Sequence, residues 1–379
     1  MWIHVESQWC GVYKSVLIFV KLSSSFVWFF VWILTEMALK YYVCIAIYLV
    51  EATKRGELRD AHTYPYYKIS MVSSDVNPGS PAVFSHGESP VWDHETQSLY
   101  FVDAHEQNVH RLDYATGKIH TKHIEYGQVN VVSLVSGSRR LVVAVRAALY
   151  LLDWAVPGDA ALRLLAQFDV GHPDHVLNEG KPDAHGRFWI GTKGPQSGDD
   201  VLPDRATFYS VDQHSLAHPR VQLRPVSISN GLVWARNNSV LYYIDSPTQK
   251  VEAFDFDLRK GDISGRRTIV DIARHGFPDA IPDGLTIDSE GHLWLAVMFG
   301  GAVLQVDPAA RRVVRTYTLP ASRVTALCWG GPALDELFVT SGRDAAAAEP
   351  LAGAVFTIRG TGRRGLPANT FRFDNADAY

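Results

Sequence analysis

The sequence predicts an all-β protein, a six-bladed β-propeller with four-stranded blades. From residue 81 onward, short runs of aromatic and β-branched residues alternate with turns, and no long segment keeps a helical period. The runs also recur roughly every 40–50 residues, the repeat of one blade. They are Leu99-Tyr100-Phe101-Val102-Asp103, Leu149-Tyr150-Leu151-Leu152, Phe188-Trp189-Ile190-Gly191, Leu241-Tyr242-Tyr243-Ile244-Asp245, Leu293-Trp294-Leu295-Ala296-Val297 and Leu337-Phe338-Val339-Thr340. A second strand follows several of them, as in Val109–Asp113, Val251–Asp255 and Val303–Asp307. Turns such as Asp183-Ala184-His185-Gly186 and Asp288-Ser289-Glu290-Gly291 precede others. Six units fit between residues 81 and 373. A β-sandwich or two smaller β domains would use similar strands, but six units at near-even spacing favour the propeller. Radial repetition then leaves only short edges and brings loops distant in sequence to one axis.

Bulk properties narrow the function. The chain has 379 residues with a formal net charge of −4 and no basic stripe. Nucleic acid is excluded as a partner on that ground, since phosphate binding needs clustered Lys and Arg. Of the three cysteines, Cys10 and Cys44 lie in the apolar N-terminal region, so Cys328 has no partner for a disulfide within the propeller. No Cys/His cluster has zinc-finger spacing, and stability has to come from a packed core. The expected state is a monomer.

The N-terminus reads separately. Residues 1–36 form an upstream extension containing the apolar run Val16 to Leu34, interrupted by Lys21 and three serines. A second run covers Tyr41 to Val50. Neither is a clean span of about 20 apolar residues; the first is the better candidate for a transmembrane helix. Residues 37–52 have the layout of a signal peptide: the basic start Met37-Ala38-Leu39-Lys40, an apolar stretch, then small residues at Val50-Glu51-Ala52. This predicts a secreted protein whose mature domain has no stable membrane span. An uncleaved anchor, or a spurious leader on a cytoplasmic protein, are the alternatives. Residues 53–80 are polar and turn-rich and read as a linker, leaving 81–379 for the propeller. The sequon Asn237-Asn238-Ser239 fits secretion.

Three polar residues stand just before apolar strand starts, each beside Gly or Pro: Glu88, Asn230 and Asp283. Singly, Asn-Gly and Asp-Gly are ordinary turn dipeptides. With their flanks they are more specific. Gly87-Glu88-Ser89-Pro90-Val91-Trp92-Asp93, Asn178-Glu179-Gly180-Lys181, Gly186–Thr192, Ser227-Ile228-Ser229-Asn230-Gly231-Leu232, Tyr243-Ile244-Asp245-Ser246 and Pro282-Asp283-Gly284 match in order and spacing. On these segments the region from about Ala82 to about Phe373 resembles the regucalcin / senescence marker protein / gluconolactonase family, including its insect members related to luciferin-regenerating enzyme.

The resemblance implies a six-bladed propeller with one divalent metal ion on Glu88, Asn230 and Asp283, with Asp283 also moving the proton. Two carboxylates and an amide carbonyl are hard oxygen donors; they favour Ca²⁺ and also suit Mg²⁺ or Mn²⁺, with Zn²⁺ compatible but not selected. It implies metal-assisted hydrolysis of a small lactone or ester. Asn178 falls on the family's substrate-binding asparagine. Val176 stands where sugar-lactone members have an arginine, Gln196 where they often have a glutamate, and Lys193 where an apolar residue is common. These departures point away from a polyol ring, and they keep open a non-catalytic Ca²⁺ or small-ligand binding protein. An organophosphate-type hydrolase is the third reading. His175 reads as an exposed loop residue, and Asp103, Asp245 and Asp307 as structural turn acceptors.

Overall fold

The computed structural model describes residues 2–10, 13–22, 25–33, 68–71, 82–343, 349–374 and 376–378. Two compact units divide the chain, Met1–Tyr64 and Pro65–Tyr379. The second is a six-bladed propeller of four-stranded antiparallel sheets. Blade one holds Gly87–Asp93, Ser98–Asp103, Asn108–Asp113 and Ile119–His123; blade two Val129–Leu134, Leu141–Val145, Ala148–Leu152 and Leu162–Gln167. Blade three holds Val176–Pro182, Phe188–Lys193, Ala206–Val211 and Arg220–Val226; blade four Ser229–Trp234, Val240–Asp245, Lys250–Asp257 and Asp262–Asp271. Blade five holds Ile281–Ile287, Leu293–Met298, Ala302–Asp307 and Arg312–Thr318; blade six Val324–Gly330, Glu336–Ser341 and Phe356–Arg359.

The first strands of neighbouring blades touch in unbroken succession, one to two and onward until six meets one. That places them innermost and closes the ring. Burial follows radius. The second strands of blades one and six are buried at every residue, whereas the outer strand Ile119–His123 is polar and half exposed. Six hydrophobic clusters form the core, each joining side chains of two adjacent blades; Trp189 of blade three packs with Trp234 and Phe254 of blade four, for example. Burial of these sheet faces between blades is the main stabilising term, and no single central core exists.

The fourth strand of blade six is Lys68–Met71, paired antiparallel with Phe356–Arg359. It lies inside the stretch read from sequence as a linker. Four residues with the pattern Lys-Ile-Ser-Met on an outer edge carry too little alternation to stand out. The ring is thereby closed by strands from both ends of the domain.

The segment from Arg364 to Arg372 crosses the end of the ring where the first strands leave. It bonds to Ser289, Leu134 and Gly186 at the exits of blades five, two and three. Leu366, Pro367, Ala368 and Asn369 wall a cavity of about 220 Å³ there, with Trp92, Trp234 and Trp329 at the strand ends.

The N-terminal unit contains an antiparallel sheet of Trp2–Cys10, Tyr13–Leu22 and Ser25–Ile33. The run Val16 to Leu34 therefore lies largely on two strands rather than on the transmembrane helix considered above. No helix among the described residues is long and apolar enough to cross a membrane. The expected signal peptide, residues 37–52, lies outside the described residues.

Candidate functional site

Each of the polar residues singled out by sequence sits at the start of an innermost strand, at an irregularity. Register with the neighbouring strand shifts between Glu88 and Val91, between Ser229 and Leu232, and between Pro282 and Leu285. Blade three repeats the device between Leu177 and Gly180, around Glu179. A bulge of this kind releases a residue from the ladder and re-aims its side chain. The structure thus brings Glu88, Glu179, Asn230 and Asp283 to the end of the axis where the first strands begin.

Asp283, Asn230 and Glu179 are buried, at 3%, 5% and 4% exposure. The Glu88 side chain is 17% exposed. Burial pushes the Glu88 carboxyl well above the usual carboxylate range, and the neighbouring Asp283 and Glu179 push it further. Asp283 is raised in the same way by burial and then by Glu179, while the Asn230 amide and the Lys193 ammonium pull it back. Asn230 donates from Nδ2 to Ser246 Oγ at 3.0 Å, and Ser246 donates to the Pro282 carbonyl at 2.8 Å. This chain ties blade four to the strand carrying Asp283 and leaves the Asn230 carbonyl oxygen for another partner.

Glu179 was not singled out by the sequence reading. Lys181 holds its Oε1 at 3.3 Å, yet its Oε2 is buried with no hydrogen-bond partner. Three carboxyls that repel one another, one of them with an orphaned buried oxygen, make this part of the axis favourable for positive charge. Its nearest donors are oxygens, which fits Ca²⁺, Mg²⁺ or Mn²⁺. Among the described residues no three or more His, Cys, Asp or Glu side chains close on one ion. The oxygen set here is two carboxylates and an amide, with Glu179 behind them.

The rim is basic. His86 Nε2 is 3.8 Å from Glu88 Oε1, and the His86 ring stacks on His105 at 4.6 Å. Burial, followed by repulsion from His105, Lys193 and Arg323, takes His86 down to about 3. It is neutral at physiological pH. Between the second and third strands of blade three, a small hairpin pairs Gln196 and Ser197 with Val201 and Asp200. At its tip Asp199 accepts Arg323 Nη1 at 2.9 Å and Nη2 at 2.7 Å. Arg323 precedes the first strand of blade six. Blades three and six are opposite in a six-membered ring, so this bidentate pair spans the mouth.

The expected substrate positions fall around this mouth. Asn178 Nδ2 donates to the Ser229 carbonyl at 2.9 Å. Val176 is half-buried and pairs with Lys193. Gln196 is exposed, and its amide bonds within its own hairpin to Gly198. His175, expected as an exposed loop residue, is instead buried at 5% exposure. Its Nδ1 meets Asp169 at 2.8 Å, and Asp169 also accepts Thr192 Oγ1 and the Tyr209 hydroxyl. Burial alone would raise Asp169; the hydrogen bonds from Tyr209, Thr192 and His175 outweigh it and the net shift is downward. Nothing in the residue's immediate neighbours in sequence announces an Asp six positions upstream as its partner. Asp103, Asp245 and Asp307 do serve as acceptors for backbone amides, at Ser85 and His86, Ser227 and Ile228, and Ala309 and Ala310.

Comparison with known proteins gives the family of the chain. Residues 86–343 match the family described as the SMP-30/Gluconolactonase/LRE-like region. Regucalcin of Danio rerio is 36% identical over 290 residues, which cover 75% of this chain and 94% of the relative. Regucalcin of Homo sapiens is 34% identical over 286 residues, covering 74% and 92%. A solved luciferin-regenerating enzyme superposes with a TM-score of 0.75 at 28% identity, over 81% of this chain and all of that one. With a propeller closed through its first strands, acidic and amide residues on four of their bulges, and more than two thirds of its length matched, the chain belongs to the SMP-30/gluconolactonase/LRE-like family.

Proposed function

We propose that this protein hydrolyses a small lactone or ester with the help of one divalent cation, Ca²⁺ by preference, held by Glu88, Asn230 and Asp283. The observation that carries the reading is the pairing of a half-buried carboxyl, Glu88, with a buried one, Asp283, at the starts of the innermost strands, with the amide of Asn230 bonded to the second. Membership of a family that includes gluconolactonase supports the reaction class. Held by Glu88, Asn230 and Asp283, a divalent cation would supply Lewis acidity to an acyl oxygen and to water.

The chain's own groups do the rest. Asp283 is a buried carboxyl beside Glu179 and Asn230, placed to accept a proton and to return it. It takes the proton from the attacking water as oxygen adds to the acyl carbon. The same proton goes to the departing oxygen as the C–O bond breaks, giving a hydroxy acid from a lactone or an acid and an alcohol from an ester. Asn230 orients Asp283 through the Ser246 link. The hairpin carrying Asp199 covers the mouth and limits bulk water, which strengthens the electrostatics inside.

A second reading, binding without turnover, is favoured by one observation. Gln196 is exposed and bonded to Gly198, so the hairpin offers no glutamate to a polyol. One assay separates the two: purified protein against lactones and simple esters with Ca²⁺, Mn²⁺ or Zn²⁺. Hydrolysis should disappear with EDTA and fall at least about 100-fold in Asp283→Ala, the scale of losing a general base. Metal binding without turnover on any substrate assigns the protein to the binding class.

A further inference from the structure

The buried pair His175 and Asp169 takes no part in the reaction proposed above, and it stands beside a cavity of its own. Residues 168–175 join the outer strand of blade two, Leu162–Gln167, to the innermost strand of blade three, Val176–Pro182. A cavity of about 270 Å³ lies against this connection, with Tyr126, Arg146, Val170, His172 and His175 in its wall. Glu88, Asn230 and Asp283 do not line it.

Three features of the wall point to a ligand. The first is a fixed acceptor. Asp169 meets His175 Nδ1 at 2.8 Å and also accepts Thr192 Oγ1 at 2.7 Å and the Tyr209 hydroxyl at 2.5 Å. A carboxylate only accepts, so Nδ1 carries the ring hydrogen and Nε2 keeps its lone pair. His172 stacks on the same ring at 4.7 Å. Nε2 has no partner among the described residues and is not sealed off, so a side chain more than nine-tenths buried leaves one acceptor to the cavity. The second feature is an uncompensated cation. The Arg146 stem rests on Gly127, where a methyl group would lie 2.8 Å from Arg146 Cγ, and the guanidinium lies 5.9 Å from the centre of the Tyr126 ring. It makes no ion pair or side-chain hydrogen bond with the described residues, and a guanidinium keeps its charge. The third is apolar surface: Tyr126 and Val170 are both large apolar side chains left exposed.

The spacing limits the size of the ligand. The Leu177 amide donates to the Arg146 carbonyl at 2.8 Å. Leu177 is two residues beyond His175, so Arg146 and His175 leave the backbone on the order of 8 Å apart. We propose that this cavity is a second small-molecule site, separate from the axial one, for a hydroxy acid built on a single aromatic ring. The carboxylate pairs with the Arg146 guanidinium, whose fork suits a carboxylate. The ring lies against Tyr126 and Val170. The hydroxyl at its far end donates to His175 Nε2, which Asp169 holds in the accepting tautomer. No metal ion enters this binding.

Calorimetry on the full chain with Ca²⁺, at about pH 8 where an imidazole keeps its lone pair, tests this with three probes: 4-hydroxybenzoate, 4-methoxybenzoate and 4-hydroxybenzyl alcohol. Wild type should bind the hydroxy acid at least about tenfold more tightly than the other two, the scale of one hydrogen bond to a charged group. The methoxy acid lacks the hydroxyl hydrogen, and the alcohol lacks the charge. Arg146→Met should bring hydroxybenzoate and the alcohol to within about twofold of each other. His175→Asn keeps an N–H for Asp169 and removes Nε2; it should bring hydroxybenzoate and methoxybenzoate equally close. EDTA should leave the wild-type preferences in place. Binding of no probe, no preference among them in wild type, or preferences unchanged in Arg146→Met with native melting behaviour overturns the assignment. Hydroxybenzoate binding that EDTA abolishes and Arg146→Met does not puts the ligand on the axial cation and overturns it too. If His175→Asn does not fold, Arg146→Met, changed at an exposed side chain, and the EDTA comparison still decide.

Discussion

At the scale of single residues, the glycines beside the site are what allow it to exist. A methyl group on Gly231 would meet the Asp283 carbonyl oxygen and come within 2.7 Å of Leu285 Cβ. One on Gly284 would lie 2.6 Å from Ala326 Cα, and one on Gly180 2.7 Å from the Trp189 carbonyl oxygen. These are close approaches between strands at the axis, not turns. Gly231→Ala should therefore push the strand carrying Asp283 outward. We expect a loss of roughly 1–3 kcal/mol, the range for overpacking a tight interior, and Ca²⁺ affinity down at least tenfold by calorimetry. Unchanged metal affinity in a folded variant would show that Asp283 tolerates displacement and is no ligand. The dipeptides Asn230-Gly231 and Asp283-Gly284 were legible in the sequence as special, but as turn chemistry, because the same residues serve both purposes. Glu179-Gly180 has the same form at the same place in blade three. That recurrence was the available signal for Glu179, hidden because Lys181 two residues on makes it look like a solvated ion pair.

Among the strands, the aromatic runs proved legible for a physical reason. Five of the six read from sequence are second strands, the layer buried on both faces between neighbouring blades. The exception, Leu149 to Leu152, lies on the third strand of blade two; the second is Leu141–Val145, aliphatic and without an aromatic marker. Outer strands escaped notice because one side faces water. The third strand of blade one carries a buried group of another kind. His110 is 4% exposed, with Phe84 at 4.7 Å, Phe101 at 4.9 Å, and Nδ1 3.0 Å from Thr121 Oγ1. Its Nε2 has no partner. Burial takes its pKa down to about 4, against a small opposing pull from Asp103. The folded state therefore refuses a proton that the unfolded chain accepts from about pH 6.5 downward. His110 costs nothing above that pH, and stability drains away as pH falls from about 6.5 toward 4, by roughly 3 kcal/mol in all. Between pH 7 and pH 5 the wild type should lose roughly 2 kcal/mol more than His110→Phe, read from urea midpoints at the two pH values. The exposed Thr121 loses little, since water replaces the ring nitrogen. Equal losses in both proteins would mean that His110 takes its proton inside the fold.

For the molecule as a whole, closure of the ring is the property on which the site depends, because its residues come from blades one, three, four and five and meet only if the circle is complete. The circle is completed by Lys68–Met71, whose ladder to Phe356–Arg359 runs Met71 to Phe356 and Lys68 to Arg359. Arg359 Nη1 donates to Ser70 Oγ at 2.8 Å, and Nη2 donates to Glu336 Oε2 at 2.7 Å. The strand thus fastens the outer edge of blade six to its second strand. Blade six also flanks Glu88 on blade one, and Thr325 of its first strand donates to the Gly87 carbonyl at 2.6 Å. A chain starting at residue 53 keeps the closing strand, and one starting at residue 81 lacks it. Four ladder positions at about 1 kcal/mol each amount to roughly 3–4 kcal/mol, or a melting temperature about 5 °C lower for a domain of this size. Residues 53–379 should melt as the full chain does, whereas residues 81–379 should melt lower and bind Ca²⁺ more weakly as blades six and one part. A synthetic peptide spanning residues 65–74, added in excess, should restore part of both by refilling the open edge. If the shorter chain melts and binds Ca²⁺ like the longer one, the ring is held by its interblade packing alone and the N-terminal strand contributes nothing to the site.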